Sequence, residues 1–174
     1  MARQVSLSDV AADNSSRFPS RSDIESVSNS LRKALVCLDA AESLSKNADL
    51  LTQDTAEFVF TKFPDAAKAS SFLFDSLPEM ESHSFQEDIA MLIRLLTYSL
   101  VAGSDTILEY EPLTEIFKSI SSLPPESSQI SPLWYVEAME FIRNHHHLPE
   151  ESALELSSYI DSIITALRPS KNDI

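Results

Sequence analysis

Three consecutive histidines, His145-His146-His147, are the first residues that could do chemistry, because imidazole nitrogens ligate divalent metals. Their spacing argues against it. Neighbouring residues on a helix point about 100° apart, so three adjacent rings do not converge on one ion, and no metal site is expected. The single cysteine, Cys37, cannot form an internal disulfide, and its neighbours Val36 and Leu38 suit a small core-filling side chain. Glu87 and Asp88 are adjacent and diverge around a helix, which removes them as an acid–base pair. Glu109, Glu111 and Glu115 are expected to form a solvated face. No serine, cysteine or histidine is flanked by a nucleophile motif, so no catalytic residue is assigned and no enzyme is expected.

The elements that carry these residues follow from composition. The chain has 174 residues and a single glycine, Gly103. Phosphate-cradling loops, dinucleotide fingerprints and nucleophile elbows each need several glycines, and sharp hairpin turns draw on them too. Helices joined by serine- and proline-bearing turns are what remain. Hydrophobic residues make up 43% of the chain, enough for one domain with a real core. Lys and Arg total 13 against 27 Asp and Glu, a formal net charge of −14. Between Ala69 and Phe117 Arg94 stands as the one basic side chain against nine acids, so the excess is not a tail effect. Such a surface repels phosphate backbones and anionic lipid, which excludes nucleic-acid and membrane-surface binding from the leading functions. The most apolar stretch, IAMLIRLLTYSLVAG, is broken by Arg94 and too short to span a bilayer, and the polar N-terminus has no signal-peptide core. A soluble, intracellular chain is expected.

Periodicity supports an all-α chain of seven or eight helices. Val27, Leu31, Leu35, Leu38 and Ala41 recur at helical spacing, as do Ala153, Leu156, Ile160, Ile163 and Leu167. Ser22 and Glu25 have capping-box spacing and place a helix start near 22. Pro64 should stop the helix that carries Leu51, Thr55, Phe58 and Val59. Ile89, Leu92, Ile93, Leu95, Leu96 and Leu100 surround a helix on most sides and mark it as central. Ser131 followed by Pro132 opens another helix, through Trp134, Ala138, Phe141 and Ile142. Pro149, Glu150 and Glu151 open the last, which closes at Arg168–Pro169. Asp65 to Glu81 is expected to be part loop and part short helix, and residues 169–174 a flexible tail.

The stretch from Ser131 to Leu167 resembles the C-terminal helical pair of phycobiliproteins: Ser-Pro-x-Trp-Tyr, then Glu-Ala, an Asn-His bend, and a closing Ser-Tyr-x-Asp-x-x-Ile-x-Ala-Leu. Upstream, Asp13, Arg17 and Phe18, Ala40-Ala41, Asn47-Ala48, Lys62-Phe63-Pro64, Asp88-Ile89, Arg94, Thr97-Tyr98, Ala102-Gly103 and Glu109-Tyr110 follow the same family in order. The resemblance covers nearly the whole chain and is to the α-type subunits, such as those of phycocyanin and allophycocyanin. It implies a globin-like fold over residues 1–168, with an N-terminal helical hairpin at 1–31 and a core at 32–168. It also implies a subunit interface carried by Asp13, Arg17, Phe18, Arg94 and Tyr98, because the family pairs a hairpin carboxylate with Arg and Tyr on the partner's central helix.

The departures bear on the cofactor. Family members carry a linear tetrapyrrole (a bilin) joined by a thioether to a cysteine three residues before the aspartate matched by Asp88. Phe85 stands at that attachment position, and Glu87 stands where an arginine pairs with a bilin propionate. His147 replaces the glycine of the family's Asn-His-Gly bend. Asp88 is expected as a retained surface charge near a helix start; otherwise it holds a bilin non-covalently beside Trp134 and Tyr135, or contacts a protein partner.

The expectation is therefore a non-pigmented phycobiliprotein-like protein without cofactor. It would act through protein contacts as an adaptor, structural or regulatory component related to the phycobilisome antenna. Its partner would be a second copy or a β-type subunit, with a phycobilisome linker or another photosynthetic protein as further partners. Its place would be the cyanobacterial cytosol or plastid stroma, including the cytoplasmic face of the thylakoid. The alternatives are a non-covalent bilin carrier or sensor and a globin-like interaction module unrelated to antennae.

Overall fold

Helix-stop residues and caps divide the chain much as the sequence implies. In a computed structural model the described residues are 20–70, 84–103, 111–122 and 130–168, with 111–113 described by their backbone. They form six α-helices and one 3-10 turn, slightly below the expected count: α1 (Arg21–Lys46), α2 (Ala48–Lys62), the turn Pro64–Lys68, α3 (Phe85–Ala102), α4 (Glu111–Ser121), α5 (Pro132–His145) and α6 (Glu150–Leu167). Residues 1–19 and 169–174, and with them Asp13, Arg17, Phe18 and the expected tail, lie outside the described residues. So do residues 71–83 and 104–110, which include much of the Asp65–Glu81 connection and the pair Glu109-Tyr110.

α1 starts two residues earlier than the Ser22–Glu25 spacing implies. Ser20 is the N-cap: its hydroxyl accepts from the Asp23 amide at 3.2 Å, and the Asp23 carboxylate accepts from the Ser20 amide at 2.8 Å. The reciprocal pair satisfies two donors that a helix start leaves open, and aspartate does this as well as the expected glutamate. The helix then runs unbroken through Leu31 and Arg32 to Lys46. α2 ends at Lys62, and the Phe63–Pro64 step turns the chain into the 3-10 turn. Ser131 caps α5 by accepting from the Leu133 amide at 3.3 Å, with Pro132 in the first turn. Pro149 caps α6, and Glu150 and Glu151 place negative charge at its positive end.

α3 is the central helix. α1, α2 and α6 pack on it, α5 lies against α2 and α6, and α4 lies against α6. Its Ile89, Leu92, Ile93, Leu96 and Leu100 are fully enclosed, together with Val59 of α2, Tyr135, Ala138, Met139 and Ile142 of α5, and Leu156, Ile160 and Leu167 of α6. Burying side chains of this size contributes roughly 1.5–3 kcal/mol each before the entropy of ordering them. Gly103 ends α3 in the left-handed conformation (φ 65°), the position for which a glycine is most useful. Among the described residues strand pairing is limited to an isolated antiparallel bridge between Ser70 and Ser84.

Candidate functional site

The first turn of α3 gathers the residues on which the cofactor question turns. Phe85 is the first residue of the helix and is 1% exposed. Its ring meets Trp134 edge-on at 5.9 Å and Tyr135 edge-on at 5.0 Å between centroids, with Phe60 of α2 at 6.3 Å. Such tilted contacts suit the ring quadrupoles and knit α2, α3 and α5 into one aromatic cluster. Trp134 and Tyr135 are both buried.

Asp88 is not the surface charge expected of it. It is completely enclosed, and the Tyr135 hydroxyl donates to its carboxylate at 2.6 Å. One turn after Phe85, the helix rotates position 88 inward beside the aromatic cluster, where a carboxylate needs hydrogen-bond donors to offset lost hydration. Glu87 points outward instead. It accepts from the Ser84 amide at 2.6 Å and closes a capping box, so its carboxylate serves the helix start.

Arg94 and Tyr98, one turn apart on α3, are exposed, and Val101 continues their face with 54% of its surface open. Sequence reasoning missed a second apolar surface. α1 buries Cys37, Ala40, Ala41 and Leu44, yet Ile24, Leu31, Leu35 and Leu38 on its other side stay open, with Leu35 at 62%. The signal was available: one helix carries two apolar stripes, a small-residue one and a leucine one. Only one of them can face the core.

Cys37 is buried between α1 and the rest of the core, as its neighbours implied. Burial pushes its thiol above the ordinary value, Glu155 adds to this, and Lys33 works the other way. Lys33 and Glu155 themselves pair across α1 and α6 at 2.8 Å. The three histidines do three separate things. His145 stacks on Phe141 at 3.9 Å, His146 accepts from the Leu148 amide at 2.9 Å, and His147 takes a positive φ of 55° at the bend. On the outer side of α2 and α5, Phe58 meets Phe141 at 4.8 Å, while Lys62 lies over Phe58 and pairs with Glu137 at 2.7 Å.

The six-helix packing around α3 and the buried cluster at its start define an all-α, globin-like domain. A family model described as phycobilisome protein matches residues 10–167. The chain belongs to the phycobilisome protein family. It is 31% identical to the phycoerythrocyanin alpha chain of Nostoc sp. over 157 residues, covering 90% of this chain and 93% of that one. It is 32% identical over 164 residues, with the same coverage, to a C-phycoerythrin class 2 subunit alpha of Synechococcus sp.. It is 30% identical over 168 residues to the C-phycoerythrin alpha chain of Synechocystis sp., again with 90% and 93% covered. Among these relatives are phycoerythrins and a phycoerythrocyanin.

This membership corrects the expectation of a chain without cofactor. The family is one of bilin-bearing antenna proteins rather than enzymes, and a bilin is the cofactor that membership implies. The residues at the start of α3 do not fit the family's mode of holding it. Position 85 offers a phenyl ring locked among aromatics, so no thioether forms there. The one cysteine is enclosed on α1. The Asp88 carboxylate is turned into the core on Tyr135, and Glu87 adds a second negative charge at the same helix start, where the resemblance implies an arginine. No step through a thioether-linked pigment follows from this arrangement. Among the described residues, no helix is long and apolar enough to cross a membrane.

Proposed function

We propose that this chain works as an α-type antenna subunit through protein contact, and not through a pigment tethered at position 85. It acts as an adaptor, structural or regulatory component in the setting of the phycobilisome, on the cytoplasmic side of the thylakoid. The observation that carries this is the open leucine stripe of α1: Ile24, Leu31, Leu35 and Leu38 remain exposed on a helix whose other side is fully used by the core. A lone exposed aliphatic side chain is ordinary, whereas four on one helix face mark a surface that another protein covers. Arg94, Tyr98 and Val101 extend exposed contact groups along α3, on which α1 packs. Asp13, Arg17 and Phe18, which lie outside the described residues, belong to the same interface.

The partner that suits this surface is a β-type subunit. Relatives matching 90% of the chain are named as alpha chains, and an alpha chain has a complementary chain to bind. The net charge of −14 sets two copies of this chain against each other, which favours the heterologous partner. The test is capture of the tagged chain from a lysate that contains phycobilisomes, with bound proteins identified by mass. Recovery of a β-type subunit, lost in Asp13→Ala and Arg94→Ala, supports the reading. A monomer that recovers neither β-type subunits nor linkers overturns it, and a self-associated dimer by sedimentation replaces the β-type partner with a second copy.

A further inference from the structure

We propose that the corner between α5 and α6 is a pH-sensitive latch, closed by the Leu148 backbone N–H on Nδ1 of His146 and released when that nitrogen takes up a proton. The geometry of the corner gives the bond its importance. α5 ends at His145, α6 begins at Glu150, and the chain must reverse within the four residues between them. His147 lies in the left-handed region (φ 55°), which costs a non-glycine residue about 1–2 kcal/mol and needs local contacts to hold it. Leu148, immediately after it, is 9% exposed and anchors the corner in the core. The hydrogen bond from its amide, at 2.9 Å, satisfies a backbone donor at this buried point and fixes the turn around His147.

An imidazole accepts at Nδ1 only when that nitrogen is bare, so the neutral ring carries its proton on Nε2. Protonation sets one N–H against another, and the Leu148 amide loses its acceptor. Burial, more than the surrounding charges, favours the neutral ring. On α5, Arg143 is engaged by Glu140 and Asp161, and the His145 ring lies flat on Phe141. On α6, Glu150 and Glu151 are exposed in the first turn. Among the described residues His147 is the titratable group that acts on His146, and it does so with like charge. Burial first, and His147 second, hold the His146 imidazole below its ordinary 6.5. A depressed folded value means the stabilisation is fully present above 6.5 and is lost as pH falls from there through the folded value.

Amide hydrogen exchange at Leu148 tests this, with protection corrected for the intrinsic rate at pH of about 7.5 and about 5. In the unmodified chain protection should fall about tenfold at the lower pH, the size of one lost hydrogen bond. His146→Asn places a non-titrating carboxamide oxygen near Nδ1 and should keep the protection at both pH values, whereas His146→Ala should lack it at both. Unchanged protection in the unmodified chain, full protection in His146→Ala, or an equal loss in His146→Asn overturns the latch. Nitrogen-15 shifts of the unmodified chain give a check that needs no variant. At neutral pH, Nδ1 of His146 should report as bare, and a proton on Nδ1 there overturns the proposal.

Discussion

The Tyr135 hydroxyl donates to the Asp88 carboxylate at 2.6 Å, joining α5 to the first turn of α3 across 47 residues of sequence, with both groups fully enclosed. Tyr135→Phe removes this donor while keeping the ring that meets Phe85. A lost hydrogen bond to a buried acidic group costs about 1–3 kcal/mol, so the urea midpoint should fall with an unchanged slope. A Tyr135→Phe chain as stable as the original would mean that the hydroxyl contributes nothing to holding Asp88.

Phe85 supports a different expectation, because its role here is packing. The ring is 1% exposed and touches Trp134, Tyr135 and Phe60. Phe85→Ala should cost about 3–5 kcal/mol, a transfer loss plus a cavity. Phe85→Leu, closer in volume, should cost markedly less. The check is equilibrium denaturation of both variants, and equal stability in all three chains would refute a core role for position 85.

Which parts were legible in the sequence follows from the range of the forces involved. Helix ends are set by neighbours a few residues apart, and Pro64, Ser131–Pro132 and Pro149 gave them correctly. Even there Asp23 outdid Glu25, since Ser20 offers the same spacing two residues earlier. The burial of Asp88 was not legible, because a donor that helps make it tolerable comes from Tyr135 on another helix. Nor was the side of α1 that faces inward. Leu31, Leu35 and Leu38 have the period of a core stripe, yet the core takes the smaller Cys37, Ala40 and Ala41, which bring α1 close to α3. The absence of a thiol at position 85 was legible as chemistry, but it did not justify leaving out the cofactor that family membership implies.

The open stripe on α1 separates stability from association. Leu35 is 62% exposed, so Leu35→Glu removes little buried surface and should change stability by no more than about 0.5 kcal/mol. If a partner covers that face, the same substitution buries a charge in an apolar contact and should weaken binding by about 2 kcal/mol or more. Sedimentation with the captured partner reads the second effect, and thermal unfolding of the isolated chain reads the first. Unimpaired binding by Leu35→Glu would exclude this face from the interface.

Two positive-φ residues give predictions of opposite sign from one cause. Gly103 has φ 65° and an added Cβ would meet nothing within 4 Å, so Gly103→Ala should cost about 1 kcal/mol through backbone conformation alone. His147 has φ 55° with a side chain already present. His147→Gly relieves the same strain, offset in part by the greater freedom of glycine in the unfolded chain, and should raise stability by up to about 1 kcal/mol. It also removes the like charge acting on His146, so the gain should be larger below pH 6.5 than above it. Chemical denaturation of both variants on either side of that pH reads all three outcomes. Losses of similar size at both positions would mean that the imidazole of His147 holds the corner in some way that outweighs its backbone strain.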